Sequence, residues 1–377
     1  MNIKIDHDST IPLHVQLLNE LRHLILSGKA EPGSRLPSES EFQRELGISR
    51  STIRQALNNA EAEGLIERVP GKGSFVRRTP MEKGTRNNLI GYITFDFHSE
   101  FQRQLLSGAE SVTRANGYRI LFCNSNGNIN EENKLLDQLV SDKVLGILIW
   151  PAYSSEASRR LFQLANQQQV PIVLMDRTFD GLNNDYIISD NFKGAYEAVS
   201  YLINLGHRRI VFLSRPILKL LPIAERLRGY KQAMIDNGLE PLEPWVAGVS
   251  ERENGYSLQI DGTVNREIEE IEKLLRRDNR PTAVFAMNDL MALEAFKAAR
   301  LMGLRIPTDI SIVGFDDMDI VSYFDIPLTT VHQDTFYMGK RAAELLIERV
   351  KGYSGPPRRE VIPTYLRIRA STSKNPN

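Results

Sequence analysis

The chain has one cysteine in 377 residues, Cys123. A single thiol excludes an intrachain disulfide and a cysteine-rich zinc site. Its place in the apolar run Tyr118-Arg-Ile-Leu-Phe-Cys123 reads as a small buried hydrophobe. Long hydrophobic runs are also missing. The opening Met1-Asn-Ile-Lys-Ile-Asp-His-Asp8 lacks the apolar core of a signal peptide. The most apolar stretch, Val144 to Ala152, falls far short of the ~20 residues that cross a bilayer. The expectation is a soluble cytoplasmic protein without a membrane partner.

Net charge is absent, with 47 basic residues against 47 acidic ones. That balance excludes an all-over basic surface for nucleic acid or membrane, but not a local basic face. Residues 44–86 carry nine Lys and Arg against five acids, whereas residues 1–43 carry four against six.

Catalytic signatures are missing as well. His7, His14, His23, His98, His207 and His332 form no His-x-x-His or His-x-x-x-His pair. There is no Gly-x-Ser-x-Gly elbow, no Gly-x-Gly-x-x-Gly after a strand and no P-loop. Asp316, Asp317, Asp319 and Asp325 are dense enough for a calcium loop but lack its glycine and final glutamate. No enzyme, metal or cofactor is expected. His98 and His332 remain within reach of a crevice, and His207 is expected to cap the helix before it.

What is present begins with a small helical module. Leu13, Leu17, Leu21 and Leu24 recur on one helical face up to Gly28. Ser38 with Glu41 makes a capping box for a short helix that Gly47 ends. Ser49 caps a third helix with Ile53, Ala56, Leu57 and Ala60 inward. Helix, tight turn and helix is the helix-turn-helix arrangement. A hairpin follows, Leu65–Val69 and Ser74–Val76 around Pro70-Gly-Lys-Gly73. The third helix exposes Arg50, Ser51, Thr52 and Arg54 first, where a recognition helix meets base edges and phosphates. Taken alone, these residues also suit a capped helix with a solvated basic face.

Residues 77–88, with four basic residues, a proline and a glycine, read as a linker. From Leu89 onward strand and helix alternate. Strands are expected near Leu89, Tyr118, Val144, Val170, Arg209, Thr282 and Ile310, with helices at Phe101–Asn116 and Asn191–Leu205. Repeated β-α units imply parallel sheets with helices on both faces. The length implies two lobes, with a ligand crevice at the strands' C-terminal ends. The segments that follow strands carry carboxylates or amides beside aromatics, which suits a polyhydroxylated ligand. They are Asp96–Phe101, Trp150–Tyr153, Asp176-Arg177, Asp190-Asn191, Asn288-Asp289 and Gly314–Asp317. Strand-end Asp and Asn equally serve as helix caps.

Residues 12–76 resemble the winged-helix domain of the GntR family, through Gly33-Ser-Arg-Leu-Pro-Ser-Glu39, Ser49-Arg-Ser-Thr-Ile-Arg54 and Gly71-Lys-Gly73. The resemblance places Ser40, Arg50, Ser51, Thr52, Arg54 and Gly71 at operator DNA, with Arg35 and Lys72 beside phosphates. Residues 89–377 form the expected effector-binding and dimerisation domain, of which Leu89 to about Ala370 resemble the effector domain of the LacI/GalR family. The matching phrases are Leu205-Gly-His-Arg-Arg-Ile210, Arg226-Leu-Arg-Gly-Tyr230, Ala286-Met-Asn-Asp289, Ile306–Asp317 and Leu328–Asp334. This resemblance implies two lobes of the periplasmic-binding-protein kind, with effector held by Arg226 and Asp289 and by Asp96, Phe101, Asp176 and Asp190. The fold expected is an α+β winged helix followed by an α/β two-lobed domain with parallel sheets.

The pairing of head and effector domain resembles the arabinose repressors of Gram-positive bacteria. It implies a homodimeric repressor on palindromic operator DNA, released by a small sugar, arabinose first. A purine-type corepressor, a sugar-processing enzyme and a transport receptor are the alternatives.

Overall fold

A computed structural model describes the chain except for residues 1, 2, 4, 7, 8, 10, 27, 28, 32, 70, 71, 78–87, 98, 153–157, 168, 169, 248–262, 376 and 377. Gly28, Gly71, most of the linker, His98 and Tyr153 therefore lie outside the described residues. The chain divides into two compact units, Met1–Asn87 and Asn88–Asn377.

The first unit holds α1 (Leu13–Leu26), α2 (Glu39–Leu46), α3 (Arg50–Ala62), β1 (Ile66–Val69) and β2 (Gly73–Val76). Leu17, Leu21, Phe42, Ile53 and Leu57 are buried together, the helices' inner faces closing one core. The capping box forms as its sequence requires, Ser38 accepting from the Glu41 N–H while Glu41 accepts from the Ser38 N–H. Gly47 ends α2 at φ 68°, a left-handed conformation that costs glycine little. β1 and β2 pair antiparallel from Ile66 opposite Val76 to Val69 opposite Gly73. Arg35 adds a bridge to Phe75 at the hairpin's edge.

The second unit contains β3 (Leu89–Thr94), α4 (Glu100–Ala115), β4 (Arg119–Asn124), α5 (Ile129–Ser141), β5 (Gly146–Ile149), α6 (Arg159–Gln167), β6 (Ile172–Met175) and β7 (Asp185–Ser189). It continues with α7 (Asn191–Asn204), β8 (Ile210–Ser214), α8 (Leu221–Asp236), β9 (Trp245–Val246), α9 (Thr263–Leu275), β10 (Ala283–Ala286), α10 (Asp289–Leu301) and β11 (Ser311–Asp316). A 3₁₀ turn at Asp319–Tyr323, β12 (Thr329–His332), α11 (Thr335–Val350), β13 (Arg359–Ile362) and β14 (Tyr365–Arg367) complete it.

Two six-stranded sheets result, ordered β13-β7-β6-β5-β3-β4 in lobe 1 and β14-β12-β11-β10-β8-β9 in lobe 2. All pairings are parallel except β12 with β14. The alternation of a strand sends its side chains to opposite faces. Tyr92, Leu148 and Val173 therefore pack on one face of the lobe 1 sheet with Leu105, Met338 and Leu345. Ile93, Ile147 and Ile149 pack on the other with Leu136, Leu161 and Leu164. Helices α4 and α11 approach so closely that a Cβ on Gly108 would meet the Phe336 carbonyl oxygen at 2.0 Å, and one on Gly339 the Leu105 carbonyl oxygen at 1.9 Å. Only glycine fits at either position.

The chain crosses between lobes three times: from β7 into α7, from β12 into α11, and from β13 into β14. The crossings are tied together. The Asp190 N–H donates to the Ile362 carbonyl at 2.8 Å, and the Thr364 hydroxyl to the Asp190 carbonyl at 3.0 Å.

Among the described residues no helix is long and apolar enough to cross a membrane. Cys123 is half-buried rather than enclosed. His207 is buried, but its ring does not cap the preceding helix. It sits within hydrogen-bond distance of Thr282, Ser311 and the Ser373 carbonyl, joining the starts of two strands to the C-terminal segment. Burial lowers its pKa.

Candidate DNA-binding and effector-binding sites

The described candidate DNA-binding residues lie on the outside of the first unit, Gly71 being outside the described residues. Arg35, Ser40, Arg50, Ser51, Arg54 and Lys72 are exposed and Thr52 is half-buried. Ser49 caps α3 by accepting from the Thr52 N–H, and its hydroxyl lies 2.8 Å from those of Ser51 and Thr52. This fixes three hydroxyls around the helix N-terminus, where backbone N–H groups attract phosphate. Arg50 donates to Gln43 at 2.9 Å, and Arg54 reaches across to Glu39 of α2 at 2.9 Å. The hydrogen bond from Arg54 lowers the Glu39 pKa. Arg35 lies beside the hairpin, its Nε 3.2 Å from where a Cβ on Gly73 would stand. Lys72 closes the hairpin turn through its N–H to the Val69 carbonyl.

In the second unit a cavity of about 80 Å³ opens between the lobes at the C-terminal ends of both sheets. Lobe 1 contributes Phe95, Asp96, Ser99, Phe101, Trp150, Asp176 and Arg177. Lobe 2 contributes Leu220, Pro222, Ile223, Arg226, Asn288, Leu290, Asp316 and Met318. Four of the six sequence-predicted effector residues are thus brought together: Asp96, Phe101, Asp176 and Arg226.

The other two point elsewhere. Asp190 caps α7 through the Lys193 N–H at 3.0 Å. The Asp289 carboxylate is buried under the wall, taking the Thr330 hydroxyl at 2.5 Å and the Met318 N–H at 2.8 Å. Its neighbour Asn288 lines the cavity and also caps α10 through the Met291 N–H. Burial and the nearby Asp316 charge raise the Asp289 pKa well above the usual range.

The aromatic rings of the wall, with Asp96, Asp176 and Arg177 among them, all come from lobe 1, and Arg226, Asn288 and Asp316 are the polar groups of lobe 2. Trp150 packs against Phe95 with ring centroids 4.3 Å apart and against Phe101 at 4.8 Å. Its indole N–H donates to Asp176 at 2.9 Å, and Arg177 lies 4.5 Å over the Phe95 ring. Across the cavity Arg226 stacks 3.6 Å over Phe315. Its fork donates to Asn191 at 2.8 Å and to the Met287 carbonyl at 2.5 Å, and stands 3.7 Å from Asp316. Burial pushes the Asp316 pKa up to about 7 against the pull of Arg226.

Asp176 and Asp316 adopt positive φ, 66° and 121°. Such strain costs a non-glycine residue on the order of 1–3 kcal/mol and gathers at ligand sites. Sequence reasoning named the segments holding Trp150, Arg177, Asn288 and Asp316 without choosing those side chains. The signal available was their position directly after a strand.

Two further acids of the cluster that includes Asp316, Asp317 and Asp325, are paired with cations. Asp317 takes hydrogen bonds from Arg369 and His332 and an ion pair from Arg367, all within 3 Å. Burial alone would raise its pKa, but these partners outweigh burial and lower it. Asp325 pairs with Arg300 at 2.7 Å.

Comparison with known proteins matches both units. Residues 13–76 match the bacterial regulatory proteins of the gntR family, and residues 199–372 a periplasmic binding protein-like domain. The arabinose metabolism transcriptional repressor of Geobacillus stearothermophilus is 28% identical over 349 residues, covering 91% of this chain and 93% of the relative. The HTH-type transcriptional repressor PurR of Pasteurella multocida is 33% identical over 314 residues, covering 81% and 89%. A solved complex of the transcriptional regulator CelR with cellobiose superposes with a TM-score of 0.64 at 25% identity, covering 89% of this chain and all of that one.

Proposed function

Since the chain belongs to the bacterial transcriptional regulators that join a GntR-type DNA-binding head to a LacI-type, periplasmic-binding-protein-like effector domain, we propose that it is a repressor released from its operator by a small neutral sugar. The observation that carries this reading is the wall of the interlobe cavity. Asp96, Asp176 and Asp316 supply acceptors for hydroxyl groups, Arg226 and Asn288 supply donors, and Trp150 with Phe101 offers apolar ring surface. A ligand of many hydroxyls uses all three. Arabinose is the first candidate, because a relative matching nearly the whole chain is named an arabinose metabolism transcriptional repressor.

In this reading Asp289 acts beneath the wall, holding Met318 in place, while Asn288 meets the ligand. Arg50, Ser51, Thr52 and Arg54 enter the major groove from α3, Ser40 supports them from α2, and Gly71 and Lys72 bring the hairpin to the backbone with Arg35. The protein acts in the cytoplasm as a homodimer through its second unit, on an operator with matching two-fold symmetry. Sugar prefers a lobe angle that suits operator binding poorly, so occupancy and repression are linked in opposite directions.

A second reading rests on the same aromatic side. Phe101 and Trp150 offer an aromatic surface on which a flat purine can stack, and a 33% identical relative is named PurR. A purine corepressor would strengthen operator binding instead of weakening it. Calorimetry against L-arabinose, other pentoses, hexoses and purines, followed by operator titration with each binder, separates the two. If only a purine binds, and operator affinity rises with it, the sugar reading is wrong.

A further inference from the structure

One polar circuit joins the cavity to a lobe crossing without being part of the cavity wall throughout. Glu100, in the first turn of α4, belongs to lobe 1. Both of its carboxylate oxygens accept the backbone N–H of Asp319, in lobe 2, at 3.0 Å. Its Oε1 also accepts Gln104 Nε2 at 3.1 Å, one helical turn along. Gln104 Oε1 in turn accepts the Thr335 hydroxyl at 2.9 Å, at the start of α11 where the second crossing enters lobe 1.

Thr335 donates its N–H to the Gln333 carbonyl at 2.9 Å. The Gln333 side chain then donates to Asp316 Oδ1 at 2.7 Å. Asp316 lines the cavity and lies three residues before Asp319, on one loop. The circuit therefore leaves the cavity at Asp316, runs through the crossing and α4, and returns to the loop it left.

Gln333 is 2% exposed, and its Oε1 has no hydrogen-bond partner. A buried orphan acceptor has a cost, so this side chain is not placed here for stability alone. What its position provides is contact between the cavity carboxylate and the crossing.

We propose that Glu100 is a positioning residue, an interlobe latch that sets how far the cleft opens and couples Asp316 to the second crossing through Gln104, Thr335 and Gln333. Its effect on effector binding rests on the reading of the cleft as the effector site; its effect on lobe angle does not. The Asp319 N–H donating to Glu100 favours the closed arrangement. It does so against burial and the nearby Asp319 carboxyl, which raise the Glu100 pKa, and losing the bond moves the open-to-closed ratio by up to about tenfold.

The test measures lobe separation in the full chain by electron-electron double resonance. Nitroxides are placed on Asn130→Cys in lobe 1 and Lys219→Cys in lobe 2, in a Cys123→Ser background. Without added sugar, Glu100→Ala should shift the distance distribution to longer values. Glu100→Gln, which keeps a carbonyl acceptor for the Asp319 N–H, should restore most of the original one. Thr335→Val removes the next link and should shift it in the same direction, which keeps the test decisive if Glu100→Ala fails to fold.

An unchanged distribution in a folded Glu100→Ala protein, or in folded Thr335→Val if Glu100→Ala does not fold, would overturn the latch. Repeating the measurement with L-arabinose separates the two readings. If the variants shift the distance while the sugar binds neither wild type nor variant, the latch stands and the arabinose assignment fails.

Discussion

The two candidate sites are built in opposite ways. Around α3 the polar side chains are exposed and few of their contacts are with anything buried; the Arg54–Glu39 pair is open to water on both sides. Around the cavity nearly every charged group is buried and already engaged within the protein, as Arg226, Asp289 and Asp176 are. A surface that must meet a polyanion holds its donors only in exposed contacts, as Arg50 with Gln43 and Arg54 with Glu39, which a phosphate or base can replace. A cleft that must recognise a small neutral molecule fixes its donors and acceptors beforehand, so that little ordering remains to oppose binding. Head substitutions should therefore alter binding without altering folding, whereas cleft substitutions should alter both.

The largest effect that would break this contrast concerns Arg226. Arg226→Ala strands Asp316 and empties the space over Phe315. Removing one partner of a buried pair costs about 3–5 kcal/mol of stability where the other partner is charged, which for Asp316 means above about pH 7. Urea denaturation should register that loss, along with loss of ligand binding. Unchanged stability would mean that the cleft is as loosely held as the head.

Arg54→Ala is the matching test on the other side. If Arg54 contacts a base, operator binding should weaken by roughly 5- to 150-fold. Melting temperature and sugar affinity should stay unchanged. An operator titration without loss would remove Arg54 from the interface.

Asp316→Asn sharpens the comparison through pH. The folded protein keeps the Asp316 proton up to about pH 7, whereas an unfolded aspartate releases it near pH 4. The unfolded chain is thus favoured progressively as pH rises from about 4 to 7, and the wild type loses stability over that window. The asparagine variant lacks this dependence. The dependence amounts to about 2–3 kcal/mol, so the variant's melting temperature relative to wild type should rise by about 5–10 °C between pH 5 and pH 8. A pH-independent difference would show that Asp316 is ionised throughout.

The smallest effect belongs to Lys72. Lys72→Ala should weaken operator binding uniformly across sequences and reduce the salt dependence by about one unit of log–log slope. No change in slope would place Lys72 away from phosphate.

Legibility in the sequence followed the range of the interactions. The capping box at Ser38 and the cap at Ser49 are contacts over three residues, so their starts could be read directly. Apolar runs located β3, β4, β5, β6, β8, β10 and β11 to within about two residues. The short strands β7, β12, β13 and β14 were harder, because crossings and edges interrupt their apolar pattern. Within the cavity, every strand end offers a carboxylate or amide, and periodicity cannot choose among them. The tertiary placement of each strand end makes that choice: Asp96, Asp176 and Asp316 line the cavity, Asp190 caps a helix, and Asn288 does both. The Glu100 contact with Asp319 spans 219 residues, and no local pattern announces it.

The three crossings also order the birth of the protein. Helix α11 and β13 complete lobe 1, and β14 completes lobe 2, yet all three are made after residue 334. On a ribosome the DNA-reading head has all of its residues before any of the sensor's strands exist. Both sensor lobes wait, unfinished, for the same last stretch of chain. A nascent protein thus passes through a long interval with a finished reader and no finished sensor. Slow or interrupted synthesis from residue 335 onward would leave the lobe 1 sheet without α11 on one face and the lobe 2 sheet without its edge strand β14, exposed to chaperones and proteases alike.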